Sequence, residues 1–391
     1  MNIAVFDAEA IKAIPIIRSL GRAGYNIITL SFERLSLGSS TKYSKKNYYL
    51  KEYNCKLIEQ VLIKEKIDII FPLEEKTISF FICNKKKFSN KFIIVASMEE
   101  NFYLLRDKAK TINIAKKINI LIPETFIPFS YEQGIEYLES VSDFPIIMKP
   151  KISTGSRGLQ IVYNKSRKEL IKKYEVINKY YGLPLIQEYI PQGGKAIGAE
   201  FLFYEGNEIL SFSHQRIREF PVKGGPSTYC KVYPYEDAMI IGRKLLNSVD
   251  YSGFAMVEFK ENPINNKLYL MEVNPRPWGS ISLPIYAGYN FPVEAVKVFS
   301  DFDNYKIKGL PYKFDKIFFM RWFFPADILS ILFSYKYKFK SKIKEFFRKY
   351  PDTVYQIFDK EDFRPVLFII FKMFLNLFNL NFIRKNLFRK K

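Results

Sequence analysis

Along the first hundred residues, short apolar runs alternate with stretches whose apolar positions recur at helical spacing. Residues 3–6, 26–30, 68–71 and 91–95 form the brief runs, and 13–22 and 57–64 the helical stretches. Strands separated by helices of this length predict a small parallel α/β sheet. After the first strand comes Asp7-Ala8-Glu9-Ala10, where a dinucleotide-binding fold would place glycines to let a pyrophosphate approach a helix N-terminus. A nicotinamide or flavin site is not expected there.

From Arg106 the pattern changes. Arg106-Asp107-Lys108 opens a helix that ends before Ile122-Pro123, and residues 145–150 read as a buried strand carrying Lys149 at its end. Ser153-Thr154-Gly155-Ser156-Arg157-Gly158 follows, a loop of small residues leading into a strand over 159–163. Such a loop can turn successive backbone N–H groups onto phosphate oxygens, and it can equally be a plain hairpin turn. Residues 185–191 form a short strand running into a turn. Strands over 253–259 and 267–273 carry Glu258 and Glu272, joined through a turn at 261–266. A hairpin puts both carboxylates on one face, with Asn274 two residues further along the same side. This all-oxygen group suits Mg²⁺ and the phosphates it bridges. The alternative is two solvated strand faces, but Glu272 sits between Met271 and Val273 in an apolar strand, where an unpartnered carboxylate is costly.

Composition adds a direction. The chain has 391 residues, enough for two or three domains, and is 48% hydrophobic, which excludes wholesale disorder. Its 61 Lys and Arg against 40 Asp and Glu give a net charge of +21, which calls for an anionic partner. Cys55, Cys83 and Cys230 are scattered without metal-ligand spacing, and the N-terminus has no export-signal pattern. A reducing, cytoplasmic setting is expected.

Taken together, Lys108, Lys149, the 153–158 loop, Gln187-Glu188-Tyr189-Ile190, Glu258 and Glu272-Val273-Asn274-Pro275-Arg276 occur in the order and spacing of the ATP-grasp superfamily. Within it the chain resembles the carbamoyl-phosphate-synthase-like group that includes D-aspartate ligase. That narrower likeness leans on His214-Gln215-Arg216, Gly224-Gly225-Pro226-Ser227 and Glu361-Asp362-Phe363-Arg364-Pro365. The resemblance implies a mixed α/β and α+β architecture: a Rossmann-like pre-ATP-grasp domain over 1–105, a two-subdomain ATP-grasp fold over 106–309 and a helical C-terminal extension over 310–391. It implies a carboxylate–amine (or carboxylate–thiol) ligase that forms an acyl phosphate with ATP and Mg²⁺ or Mn²⁺, or else a nucleotide-binding scaffold without turnover.

Residue by residue, the resemblance gives Lys108 and Lys149 the α- and β-phosphates, and Ser153, Thr154, Gly155, Ser156, Arg157 and Gly158 the β- and γ-phosphates. Gln187, Glu188, Tyr189 and Ile190 would hold the adenine. Glu258, Glu272 and Asn274 would hold the metal, and Arg276, with Lys149, would act on the transferring phosphoryl group. The family's ribose carboxylate falls on Lys195, leaving that role unassigned.

A carboxylate substrate is expected at His214, Arg216, Gly224 and Gly225, with Arg218 a further candidate, because guanidinium matches carboxylate bidentately; the alternatives are a solvated strand end with a mobile loop for the arginines and a satisfied structural histidine for His214. Asp7, Glu9, Glu74 and Glu75, at strand ends, are candidates for an ammonium group. Small-molecule or glycan-precursor substrates of envelope synthesis fit the subgroup.

Residues 331–391 hold 15 Lys/Arg against 5 Asp/Glu, interleaved with 12 Phe. The apolar run 365–382, with Lys372, Asn376 and Asn379 as a polar stripe, reads either as an interfacial helix on an anionic membrane or as a lid on the enzyme core. A nucleic-acid partner is not expected. A cytoplasmic protein, peripheral at the inner face of the membrane, is the resulting picture.

Overall fold

The computed structural model describes residues 1–97, 99–164, 166–220, 225–306, 316–328, 330, 346–348 and 350–377. They form two compact units, one gathering the described parts of 1–96, 279–305 and 354–391, the other those of 97–278 and 306–353. The units therefore do not follow three consecutive stretches of chain, because the chain returns to the first unit after Trp278 and again at Val354.

In the first unit, β1 (Asn2–Val5), β2 (Asn26–Ser31), β3 (Ser44–Tyr49), β4 (Ile69–Phe71) and β5 (Ile93–Ile94) form a parallel sheet ordered β3-β2-β1-β4-β5. Ile3, Val5, Ile28, Leu30, Ile69 and Phe71 are all buried, as expected for a parallel sheet covered on both faces. The helices Ala13–Arg22 and Cys55–Lys64 supply part of the cover; the second is capped by Asn54, whose side chain accepts the Leu57 N–H. The edge strand β3 reads Ser-Lys-Lys-Asn-Tyr-Tyr and is largely exposed, so no apolar alternation announces it.

Asp7 has φ of +59°, and its carboxylate accepts the N–H groups of Leu73 (3.1 Å) and Glu74 (2.8 Å) and the Thr77 hydroxyl (2.5 Å). Burial pushes Asp7 up to about 6 and Glu9 up to about 7. Lys12 pairs with Glu74 at 2.9 Å. These contacts give Asp7 and Glu74 internal partners. Asp362 is an internal tie in the same unit: it accepts Arg18 Nε at 2.9 Å and the Lys42 N–H at 3.0 Å.

The second unit contains two sheets. The smaller is antiparallel, with β6 (Thr125–Phe126), β7 (Ile146–Lys149), β8 (Gln160–Val162) and β9 (Leu185–Glu188) in the order β6-β9-β7-β8. Its core is Ile146, Met148, Val162 and Ile186 against Leu170, Tyr174 and Ile177 of the helix Arg167–Tyr181. The larger contains β10 (Ala196–Tyr204), β11 (Asn207–Glu219), β12 (Ser227–Val232), β13 (Gly253–Glu261), β14 (Leu268–Asn274) and β15 (Phe319–Arg321), running β14-β13-β10-β11-β12-β15. One face buries Ile197, Ala199, Phe201, Phe203, Val257 and Val273 against Met239, Leu245 and Leu246 of the helix Glu236–Asn247. Alternation along the strands leaves Gly198, Glu200, Glu258 and Glu272 for the opposite face.

Candidate active site

The turn between β13 and β14 fixes the site's register. Asn262 Oδ1 accepts the Ile264 N–H, Asn265 Oδ1 accepts the Lys267 N–H, and Asn266 adopts φ of +55°, a conformation asparagine tolerates well. Glu258 therefore stands opposite Glu272, and Met256 opposite Asn274. The row continues across the sheet from Glu258 to Gly198 and from Gly198 to His214. Both acids and Asn274 share one face, as the hairpin reading requires. A bulge between Glu258 and Phe259 leaves Met271 unmatched, and its carbonyl accepts Lys149 Nζ at 3.3 Å.

Lys108 begins the helix Lys108–Lys117, whose N-cap Asp107 accepts the N–H groups of Ala109 and Lys110. Its Nζ lies 3.1 Å from Glu272 Oε2 and 3.1 Å from the Ser153 carbonyl. Arg216, on β11, donates to Glu258 Oε2 at 3.0 Å and lies 3.6 Å from Glu219. Asn274 donates to Glu258 Oε1 at 3.0 Å, and Arg276 donates to Asn274 Oδ1 at 3.1 Å. Burial would raise the Glu272 carboxyl, but Lys108 and Lys149 overrule it and hold it below the usual range. Burial pulls Lys149 down to about 8, with Glu272 resisting and Lys108 assisting.

Lys108, Lys149, Arg216, Glu258 and Glu272 border a cavity of about 430 Å³ between the two sheets of this unit, within the size range of small-molecule sites. Ile147, Leu159 and Ile161 give it an apolar wall, and Lys108, Lys149, Arg216, Glu258 and Glu272 a polar one. Its lining holds five cations, counting Arg218 and Lys260, against three carboxylates, counting Glu219. That excess draws anions.

The other expected residues are distributed unequally. Of the small-residue loop, Ser153 and Ser156 line the cavity, whereas Thr154, Gly155, Arg157 and Gly158 are absent from its described lining. Of the 187–190 segment, only Tyr189 is in that lining. Gln187 donates inward to Thr125 Oγ1 at 2.6 Å, Glu188 accepts the Glu124 N–H at 3.1 Å, and Ile190 is fully buried with its carbonyl bound by Lys260. These contacts tie the segment to its neighbours, and Gln187 still lies on the cavity face of β9, opposite Ile147. Asn274 and Arg276 are likewise outside the described lining and bear on it through Glu258.

His214, expected against substrate, is buried over Gly198, with Nδ1 2.8 Å from Glu200 Oε1; a Cβ at position 198 would run into the imidazole ring. Burial pulls the imidazole down to about 3, so it is neutral across the working pH range. Gly225 is buried and its carbonyl faces Arg216 at 3.4 Å, whereas Gly224 lies outside the described residues.

Asp327 was not anticipated. It is fully buried and accepts Arg218 Nε at 2.6 Å, Arg218 NH2 at 2.8 Å and Arg321 Nε at 2.6 Å. Arg218 stacks over Tyr229 and Arg321 over Phe346. The cluster clamps Arg218 where it meets the cavity. Arg218 and Asp327 are 109 residues apart in sequence, which is why no motif reveals their pairing.

In this unit Lys108 and Lys149 and the two glutamates of one hairpin thus border a single cavity between two sheets. Residues 105–280 match the ATP-grasp domain. Over 184 residues the chain is 26% identical to the D-alanine–D-alanine ligase of Fusobacterium nucleatum subsp. nucleatum, covering 44% of this chain and 56% of that one. Over 329 residues it is 22% identical to the carbamoyl phosphate synthase large chain of Campylobacter jejuni subsp. jejuni, covering 80% of this chain and 30% of that one. The chain thus spans about half, or less, of these relatives.

Among solved structures, the fold resembles the biotin carboxylase domain of Hydrogenobacter thermophilus 2-oxoglutarate carboxylase, solved with MgADP, ADP and bicarbonate. The TM-score is 0.66 at 16% identity, covering 81% of this chain and 73% of that one. It also resembles Staphylococcus aureus N5-carboxyaminoimidazole synthetase, with a TM-score of 0.60 at 16% identity and coverage of 75% and 76%. Among the described residues, no helix is long and apolar enough to cross a membrane.

Proposed function

We propose that the chain is an ATP-dependent ligase that joins a carboxylate to an amine through an acyl phosphate. The observation that carries this reading is the Lys108–Glu272–Lys149 cluster opposite Glu258 on a cavity with an apolar wall. The lysines would turn to the nucleotide's phosphates, and Ile147, Leu159 and Ile161 would flank its base.

The donor set fits Mg²⁺ held partly by the nucleotide. No group of three or more His, Cys, Asp or Glu ligands occurs among the described residues, and two carboxylates with an amide oxygen leave the remaining positions for phosphate oxygens and water. When bound, the ion would neutralise charge on the transferring phosphoryl group. Glu258, Glu272 and Asn274 would hold it; Arg216, released from Glu258, would face the substrate carboxylate beside Arg218. The substrate pair is proposed to be an amino acid and an envelope or surface-glycan precursor, handled on the cytoplasmic side.

Incubating the protein with Mg²⁺, ATP, a panel of amino acids and excess hydroxylamine tests the chemistry. Acyl phosphate is expected to be trapped as a hydroxamate, one per ADP released. ADP formation without hydroxamate, or ADP release independent of any carboxylate, would count against the ligase reading.

A pH dependence follows from Lys149. Its ammonium is present below about 8 and lost above, so its contribution to phosphate binding is full at neutral pH and declines as pH rises through 8. Calorimetric titration with ATP is expected to show several-fold weaker binding at pH 9 than at pH 7, with Lys149→Met flattening the profile. Equal affinity at both pH values in the unsubstituted protein would remove Lys149 from the phosphate site.

A further inference from the structure

The helix Arg364–Leu377 in the first unit reads Arg-Pro-Val-Leu-Phe-Ile-Ile-Phe-Lys-Met-Phe-Leu-Asn-Leu, and its apolar side chains face outward. Leu367, Ile370, Phe371 and Phe374 are 57%, 54%, 51% and 58% exposed, and they fall at i, i+3, i+4 and i+7, so they form one continuous stripe. Lys372 donates to Glu33 across the helix's inner side and reaches the Leu35 carbonyl at 3.5 Å. Leu35, 47% exposed, thus adjoins the helix beside the exposed Arg34. The 14-residue helix contains no acid, and residues 378–391, next in sequence, hold five Lys/Arg and no Asp/Glu.

We infer that this stripe docks on an anionic membrane surface, with the helix lying in the interface plane. A contiguous stripe of large exposed apolar side chains marks an interaction surface. At 1.5 Å per residue the 14 described residues of the helix measure about 21 Å, and among the described residues no helix is long and apolar enough to cross a membrane. Phe and Leu on one face of a helix that contains no acid, with only cations among the charged residues that follow, is the composition that sinks into an acyl–headgroup boundary and gains from negative lipids. A second copy of the same stripe would bring those cations together, and their repulsion favours the lipid surface over self-association. This inference does not depend on the ligase reading.

Co-sedimentation of the full chain with vesicles tests it. Binding is expected to phosphatidylcholine vesicles containing about 30% phosphatidylglycerol, to weaken at least about tenfold in high salt, and to be much weaker with phosphatidylcholine alone. Phe371→Asp with Phe374→Asp is expected to reduce binding about tenfold or more while leaving the circular dichroism spectrum and melting temperature unchanged, because both side chains are already half exposed. Equal binding by the double variant, or no preference for anionic vesicles, would overturn the inference. So would a wild-type dimer in analytical ultracentrifugation that the same substitutions dissolve, since the stripe would then be a self-association surface.

Discussion

Glu272→Gln is expected to lower ADP release by about 100-fold or more while the protein stays folded. The carboxylate touches Lys108, and its charge, with that of Glu258, opposes the loss of the Lys149 ammonium. The amide keeps the shape and one acceptor but removes a full negative charge from the place where a metal would sit. Lys149 would then lose its proton more readily, so one substitution weakens both halves of the phosphate site. The other face of β14, carrying Leu270 and Val273 into the core, is untouched, so the circular dichroism spectrum should match that of the unsubstituted protein. A steady-state coupled assay for ADP reads the effect, and turnover within a factor of two of wild type would remove Glu272 from the chemistry.

Asp327→Ala should have the largest effect on stability. The substitution leaves the Arg218 and Arg321 guanidinium groups buried side by side with their shared carboxylate gone. Breaking a buried pair by deleting one partner costs about 3–5 kcal/mol, since the remaining charge is neither solvated nor neutralised. For a unit of this size that is a fall on the order of 10 °C in melting temperature. Asp327→Asn, which keeps the shape without the charge, should fall between. Differential scanning calorimetry measures both, and a melting temperature for the alanine variant within 2 °C of wild type, about the assay's resolving power, would show that the cluster is not an anchor.

Much of the framework was legible because it depends on local pattern. The helix at 13–22 and the strands near 3–6, 26–30 and 68–71 appear where apolar periodicity puts them. The hairpin carrying Glu258 and Glu272 was legible because alternation and a turn of asparagines together define a face. The strand β10 was passed over, though it is central to the larger sheet, because Gly198 and Glu200 interrupt an otherwise apolar run. In the fold those two positions serve the site's side: Gly198 makes room for an imidazole and Glu200 meets it. Neither role is visible until β11 lies alongside. The 187–190 segment was read as a ligand-facing block, but Gln187, on the cavity face of β9 opposite Ile147, spends its amide on Thr125, and of the four only Tyr189 is in the described lining. Asp327 escaped for another reason: its partners come from β11 and β15, and contacts made across a sheet leave no spacing in the chain.

The Lys108–Glu272 and Arg216–Glu258 pairs have a consequence for how the cavity fills. Lys108 and Arg216 each already have a negative neighbour, so inorganic phosphate that drew either of them away would strand an acid. A divalent cation alone would do the reverse. A guest that brings both signs at once keeps both of these pairs compensated, which makes nucleotide and metal mutually dependent ligands: each should tighten the other's binding by the same factor.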